Sequence, residues 1–570
     1  MYSEKIVETK ICKQCNSSFD ITDKDVKFYD KISPVFVGKK IQIPTPTFCF
    51  DCGLQRRLVW RNDKNLYTRK CDKTNENIIS MYSPDKLNKI YNQDLWWSDK
   101  WDAIDYGVDF DFNMTFSLQY NELLLKVPHP SLIKLTSENS DYSNYIAWSK
   151  NTYLCFAGDN IENSLYCYNV VGSNDCIDDI NVRNSDFIYE TINSNNSTRL
   201  FFARDSNNSN NSYFIKNCDG CEYCFMCFNL KNKKYCINNK QYTKNEYKKF
   251  INNINLGDNE NLNKYKNEFI KKESESIHKS NNNINALNCK GDYIVDSVNC
   301  NNSFFVSSGG EDIKNIMIGF NDLKDSYDCT YCGVNASKFY ESIASGGNGN
   351  NCFFSNIIVD NFSNIFYSNY CVSSKNLFGC VGLKNKEYCI FNKQYSKEEY
   401  ESLVLQIIEH MKKTGEWGEF FPSNISPFGY NETVASEYYP LTKEEALKLG
   451  FKWSGYKSPP PKVEKVIPAD KLPNNIKNIP DDILNWAIEC QITKKLFRIM
   501  KQELAFYRKF DLPIPRIHPN QRHLNRIGFI NSINLNQRNC SKCDKKIETT
   551  FDLKEIKIVY CEECYNKKTY

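Results

Sequence analysis

Four C-x2-C pairs constrain this chain before anything else does: Cys12 with Cys15, Cys49 with Cys52, Cys540 with Cys543, and Cys561 with Cys564. Such a pair presents two thiolates from one tight turn, and two pairs close the all-sulfur tetrahedron of structural zinc. Two pairs near each end therefore predict two structural Zn2+ sites. The second N-terminal pair opens CFDCGLQRRLVWRN, a helix start whose partial positive charge stabilises thiolates. A knuckle followed by a pair at a helix N-terminus is a treble-clef-like arrangement. At the other end, the 17 residues between Cys543 and Cys561 suit a β-hairpin and a zinc-ribbon-like site.

The two ends also match each other. Residues 44–91 align with 513–560 without a gap, pairing Pro44 with Pro513, Arg57 with Arg526, Cys71 with Cys540 and Tyr91 with Tyr560. Residues 12–32 align with 490–510, pairing Cys12 with Cys490 and Phe28-Tyr29 with Phe506-Tyr507. Each copy lacks a different half of its cysteines. The missing N-terminal site would use Cys71, Thr74, Asn92 and Leu95; the missing C-terminal one, Cys490, Thr493, His518 and Gln521. An open catalytic zinc keeps three protein ligands and a water, and neither remnant offers three. A weak Cys490/His518 site is the residual alternative.

Arg56, Arg57 and Arg61 follow the N-terminal pair on an expected helix, and Arg522 and Arg526 occupy the matching stretch at the other end. Arginines spaced i, i+4 share a helix face, and that face is the candidate nucleic-acid contact. The competing reading is an ordinary solvated or carboxylate-paired surface. Charge is consistent with either: the net +4 combines basic ends with an acidic middle. The polar opening MYSEKIVETKICKQC is no secretory signal, and no apolar run approaches the roughly 20 residues of a membrane helix. The 26 cysteines are then expected as reduced thiols in the cytoplasm, some holding metal. The abundance of asparagine reads as base composition rather than function.

Between the ends lies a second repetition. LKNKKYCINNKQYTKNEY (230–247) recurs as LKNKEYCIFNKQYSKEEY (383–400), and Glu190 matches Glu341. Apolar anchors such as Tyr153, Leu165, Cys176, Phe187 and Leu200 recur every 10–13 residues between polar turns. A fixed step of short strands is a β-solenoid pattern, here expected at two steps, or 22–24 residues, per coil. A β-sandwich is the alternative. Thr243-x-x-Glu246 and Ser396-x-x-Glu399 are capping boxes that start a closing helix in each unit. The run Cys218, Cys221, Cys224, Cys227 lacks ferredoxin spacing, and the corresponding Leu377 points to small apolar filling rather than a cluster. Cys329 and Cys332 read the same way. Solenoid enzymes use outer-face carboxylates, for which Asp178, Asp179, Asp328, Glu190 and Glu341 are the candidates.

The resulting organisation is an N-terminal zinc module (1–95), an aromatic-rich segment with Trp96, Trp97 and Trp101 (96–135), and a first solenoid unit (136–250). An exposed helical linker (251–286), a second unit (287–400), an α-rich capping segment (401–456), a proline-rich linker (457–480) and a C-terminal zinc module (481–570) follow. The tryptophans are expected to bury against the first coil rather than form a platform.

PTFCFDCGLQRRLVWRN, IISMYSPDK with WWSDKWD, the paired NKQY repeats, and GEFFPSNISPFGYNET with YYPLTKEEAL run through nearly the whole chain. With them the chain resembles a family of uncharacterised cysteine-rich zinc-finger and β-solenoid proteins of reduced-genome bacteria. The resemblance implies cysteines at the places of Thr493, His518 and Gln521, where this chain departs. The fold expected is mainly β: a central right-handed β-solenoid of two units with capping helices, flanked by treble-clef/zinc-ribbon-like modules. The function expected is non-enzymatic binding or scaffolding of an unknown protein or nucleic acid, away from membranes. A nucleic-acid-binding protein and a carbohydrate-active β-helix enzyme are the alternatives.

Overall fold

A computed structural model describes residues 4–459, 463–552 and 556–569. It is mostly sheet, with 32% strand and 24% helix. Two long sheets dominate. Ten strands between Lys134 and Gln241 pair in chain order, each with its successor, and a second such set runs from Ile284 to Gln394. All these pairings are parallel until a final antiparallel turn, Cys236 with Gln241 and Cys389 with Gln394. In the second stack, strands Gly291–Asn301 and Leu323–Cys332 are joined by two routes. One passes through Ser303–Val306 and Met317–Gly319, the other through Glu311–Lys314, so the ladder closes on itself. Closure leaves no open edge along its length.

The register corrects the expected coil. Tyr153 pairs with Leu165, Leu165 with Ile177, and Ile177 with Tyr189, one rung apart each time. The step of 10–13 residues is thus a whole rung, not half of one. The reason is in the backbone. Asn151, Leu154, Ala157, Asn160 and Asn163 all have φ near +50°, and the pattern continues every third residue through both stacks. Each rung turns a corner every three residues, so a circuit closes in about half the residues that longer strands would need.

Left-handed backbone costs an L-residue about 1–2 kcal/mol, and asparagine is among the residues that tolerate it best. Its amide then bonds to the corner above: Asn169 donates to Asn181 (2.7 Å), Asn181 to Asn193 (2.8 Å), and Asn193 to Asp205 (3.1 Å). Asparagine thus stands at many of the corners, a structural use that composition alone does not reveal.

The lumen is narrow and filled by small side chains. In the first stack Cys155, Cys167, Val170, Cys176, Val182, Ala203 and the Cys218–Cys227 run form one buried cluster without an aromatic ring. Serines share this space. Ser185, Ser197 and Ser209 each donate a backbone N–H to the serine hydroxyl one rung earlier, at 3.1 Å. The aromatic anchors lie elsewhere: Tyr189 and Phe201 join Phe506 and Tyr507 of the C-terminal module in a separate core. Large rings sit outside the rungs, under the elements that cover them.

Those covering elements include the closing helices Lys244–Asn253 and Lys397–Thr414, both started by the expected capping boxes. The helix Asn259–Glu275 falls in the segment expected to be an exposed linker. It instead buries Leu262 and Phe269, with Phe269 packed on Phe214 and Phe228. Their seven-residue spacing puts both on one face. Trp96 is buried, as expected, but beside Tyr370 of the second stack rather than on the first coil. Of the proline-rich linker, residues 460–462 lie outside the described residues, and Lys465–Pro468 is a strand paired with Trp486–Glu489.

Candidate metal centres and the charged joints

Cys12, Cys15, Cys49 and Cys52 bring their sulfurs within 4.8 Å of one another, as do Cys540, Cys543, Cys561 and Cys564. The Sγ atoms of Cys15 and Cys49 are 3.7 Å apart, and those of Cys543 and Cys561 3.8 Å apart. A tetrahedral ion with metal–sulfur bonds of about 2.3 Å needs sulfurs about 3.8 Å apart. Each donor set could therefore hold a metal ion. Local structure sets this geometry. Cys12 and Cys15 occupy the turn after strand Ile6–Ile11, and Cys49 is the N-cap residue of helix Phe50–Leu58. Hydrogen bonding with Cys52 lowers the Cys49 thiol to about 5, against burial. Burial raises the Cys540 thiol, but the amides of Cys561, Lys542 and Cys543 outweigh it and bring the group to about 6.

The C-terminal site departs from the expected ribbon. Its second pair leads into helix Glu562–Thr569, and strand Val559–Tyr560 pairs in parallel with His278–Lys279 rather than within a local hairpin. Both clusters thus combine a turn between two strands with a pair at a helix start.

The places of Cys71 and Cys490 keep that architecture through hydrogen bonds. Asn92 donates its N–H to Cys71 Sγ (3.4 Å), while its side chain caps helix Gln93–Trp97 by accepting from Leu95 N–H (2.7 Å). His518 does the same at the other end: its N–H reaches Cys490 Sγ (3.2 Å) and its Nδ1 accepts from Asn520 N–H (3.1 Å). The cap occupies the nitrogen that a Cys490/His518 site would offer on that side. Inside the first stack, the thiols of Cys218, Cys221, Cys224 and Cys227 hydrogen-bond to carbonyls. Among the described residues, the two four-cysteine clusters are the groups placed to hold a metal.

The arginines singled out in sequence are not on a free surface. Arg57 is fully buried and meets Glu341 at 3.1 Å, on the helix that packs across strands Leu323–Cys332 and Ala336–Ile343 of the second stack. Asp328 lies close by; burial, partly countered by Arg57, pushes its carboxyl up to about 7. Arg61 pairs with Asp63 at 2.8 Å and stacks between the rings of Tyr145 and Tyr331. Arg56 pairs with Glu419 at 2.8 Å.

The C-terminal module repeats the arrangement on the first stack. Arg522 and Arg526 both bind Asp178, at 3.1 and 2.8 Å, and Lys266 binds Glu190 at 2.6 Å. Asp179 points into the lumen, accepts the N–H of Thr191 at 2.7 Å, and is driven far above the usual carboxylate range by burial. The candidate phosphate-binding arginines and candidate catalytic carboxylates are largely each other's partners. Rings repeat the match: Tyr29 packs on Tyr340 at 5.3 Å, and Tyr507 on Tyr189 at 5.6 Å.

One junction escaped sequence reasoning. Glu437 receives Lys64 (2.6 Å) and His523 (3.0 Å), while Tyr168 bonds to Asp63 (2.7 Å) and Tyr331 (2.8 Å). Both modules, both stacks and the segment after them meet here. Nothing repeats Lys64, Glu437 or His523 in sequence, so no signal marked them. The Arg57/Glu341 joint did leave one, since both partners belong to matched pairs. No family model matches the chain, and no curated protein matches it.

Proposed function

We propose that the protein is a non-enzymatic binding scaffold in which two β-solenoids are clamped by two zinc-stabilised modules. Each solenoid is taken as right-handed, the hand that parallel crossover connections favour. The modules are taken as duplicated treble-clef-like units, and the two units between them as a second duplication. Membership of the cysteine-rich family of reduced-genome bacteria, carried by the quoted motifs, belongs to the same reading. So does a reducing, cytoplasmic setting, in keeping with the thiols.

The observation that carries this reading is the double joint. Arg57 meets Glu341 on one stack and Arg526 meets Asp178 on the other, both inside the protein. Arginines held this way are poorly placed to reach phosphate, which weighs against nucleic-acid binding through them. Carboxylates held this way are poorly placed for acid–base work, which weighs against hydrolysis at the same residues. Their common use is docking.

The test is metal content with module integrity. Protein purified without chelators should carry about two zinc atoms per chain by elemental analysis, and Cys49→Ser with Cys52→Ser should remove one of them. Absence of zinc, or retention of both atoms in that variant, overturns the metal part of the reading. Salt-sensitive binding of nucleic acid that is lost in Arg56→Gln would favour the alternative.

A further inference from the structure

A cleft of about 660 Å³ lies between the two stacks, lined also by Tyr565 of the C-terminal module. We propose that this cleft binds an uncharged oligosaccharide. The inference deepens the scaffold reading by naming what the scaffold holds.

Three features of the cleft point to this class. One wall is the asparagine ladder of the first stack, including Asn181, Asn184 and Asn193. Its amides recur once per rung, at the roughly 4.8 Å spacing of paired strands. A periodic row of side-chain donors and acceptors suits a ligand that is itself a row of polar units. The ladder's top is incomplete: Asn169 is 4% exposed, lines the cleft, and its Oδ1 has no hydrogen-bond partner.

The facing wall supplies rings. Tyr293 and Phe305 stack on one another with centroids 4.8 Å apart, and both line the cleft half-buried. Aromatic surface beside planar amides matches a pyranose, which has apolar ring faces and a rim of hydroxyls. Tyr293 is fixed by its hydroxyl, which donates to Asp205 at 2.6 Å.

Charge excludes the main competitors. The lining cations are Arg183 and Lys279, against the carboxylates of Asp205, Asp219 and Asp296. Lys279 is already held by Glu562 at 2.8 Å. A phosphate polymer requires an excess of cations, and the lining of this cleft carries no such excess. An extended peptide binds by adding to a sheet edge. Here the backbone amides of Asn181, Asn193 and Asn217 are bonded within the stack already.

The experiment uses the full, metal-loaded chain and soluble hexamers as probes. The neutral set is β-1,4-glucose, β-1,4-N-acetylglucosamine, α-1,4-glucose and β-1,4-mannose. Oligogalacturonate and a thymidine hexanucleotide are the charged comparisons. Saturation-transfer NMR identifies binders and calorimetry measures them. At least one neutral hexamer should bind, and Phe305→Ala should weaken it by about tenfold or more, a shift of about 1.4 kcal/mol. Zinc content reports separately on the scaffold reading and should be unchanged, and the variant should keep a cooperative melting transition.

Should Phe305→Ala fail to fold, Asn184→Lys tests the same wall from an exposed corner. Charged residues occupy equivalent corners elsewhere, as at Arg199 (φ 52°) and Lys338 (φ 58°). It too should weaken binding. No neutral hexamer binding at millimolar concentration, preference for a charged hexamer, or undiminished binding in a folded variant overturns the proposal while leaving the zinc scaffold intact.

Discussion

Arg57 shows how much a single side chain carries here. Its guanidinium has no access to water and faces Glu341 and Asp328. Removing one partner of such a pair strands the other charge, so Arg57→Ala should destabilise the protein by about 3–5 kcal/mol. Arg57→Ala combined with Glu341→Gln should cost clearly less than the single change, because Glu341 no longer carries the charge that Arg57 leaves behind. Urea denaturation of the singles and the double measures this as a coupling energy. Histidines give a pH prediction at the same scale. Burial lowers His129 and His278 to about 4. Their folded values lie below the unfolded value, so the unfolded chain takes up protons first. The stability they contribute is full above about pH 6.5 and declines as pH falls towards 4, by a few kcal/mol in all. The urea midpoint should therefore fall more between pH 7 and 5 in the unaltered protein than in His129→Gln; the difference isolates the histidine from buried carboxylates such as Asp328 and Asp179, which act in the opposite sense.

At the scale of the element, the repeating triplet explains what the sequence hid. The 10–13-residue step and both capping boxes were legible, because anchors and N-caps depend on local chemistry. The rung was not, because alternation is the usual sign of a strand and a corner at every third residue destroys it. Anchors such as Phe187 and Leu200 fall on different faces for the same reason: Leu200 belongs to the lumen, while Phe187 packs on Phe510 of the C-terminal module. Asparagine reads as compositional in the sequence, yet it occupies many of the corners. This yields a direct test. Asn163 sits at a corner with φ 49° and accepts from Asn151 at 3.0 Å. Asn163→Val should cost about 1–2 kcal/mol for the left-handed backbone alone, plus the ladder bond. Asn163→Gly should lose only the bond, and thermal unfolding should rank the two in that order.

For the whole molecule, the four cysteine pairs told where the two four-cysteine clusters form. They did not tell that each module rests on a stack. That information lies in long-range pairs such as Arg522 with Asp178, which leave no pattern in one sequence. Where each end keeps a single cysteine, at Cys71 and Cys490, Asn92 and His518 cap the adjoining helix. Stripping metal should then loosen the ends unevenly. Chelation should speed hydrogen exchange around Cys12–Cys52 and Cys540–Cys564, while amides near Cys71 and Cys490 stay protected. Equal loss of protection at all four would show that the caps do not substitute for metal.

The docking is also crossed: the N-terminal module lies on the second stack, and the C-terminal module on the first. A chain leaves the ribosome in order, so Arg57 is in solution long before Glu341 exists. At about 5–20 residues per second the interval is roughly 15–60 s. During that time the first stack also lacks Arg522 and Arg526, and its Asp178 has neither arginine beside it. The newborn protein therefore passes through a stage in which two finished surfaces wait for partners not yet made, and only the segment carrying Arg522 and Arg526 allows both to close.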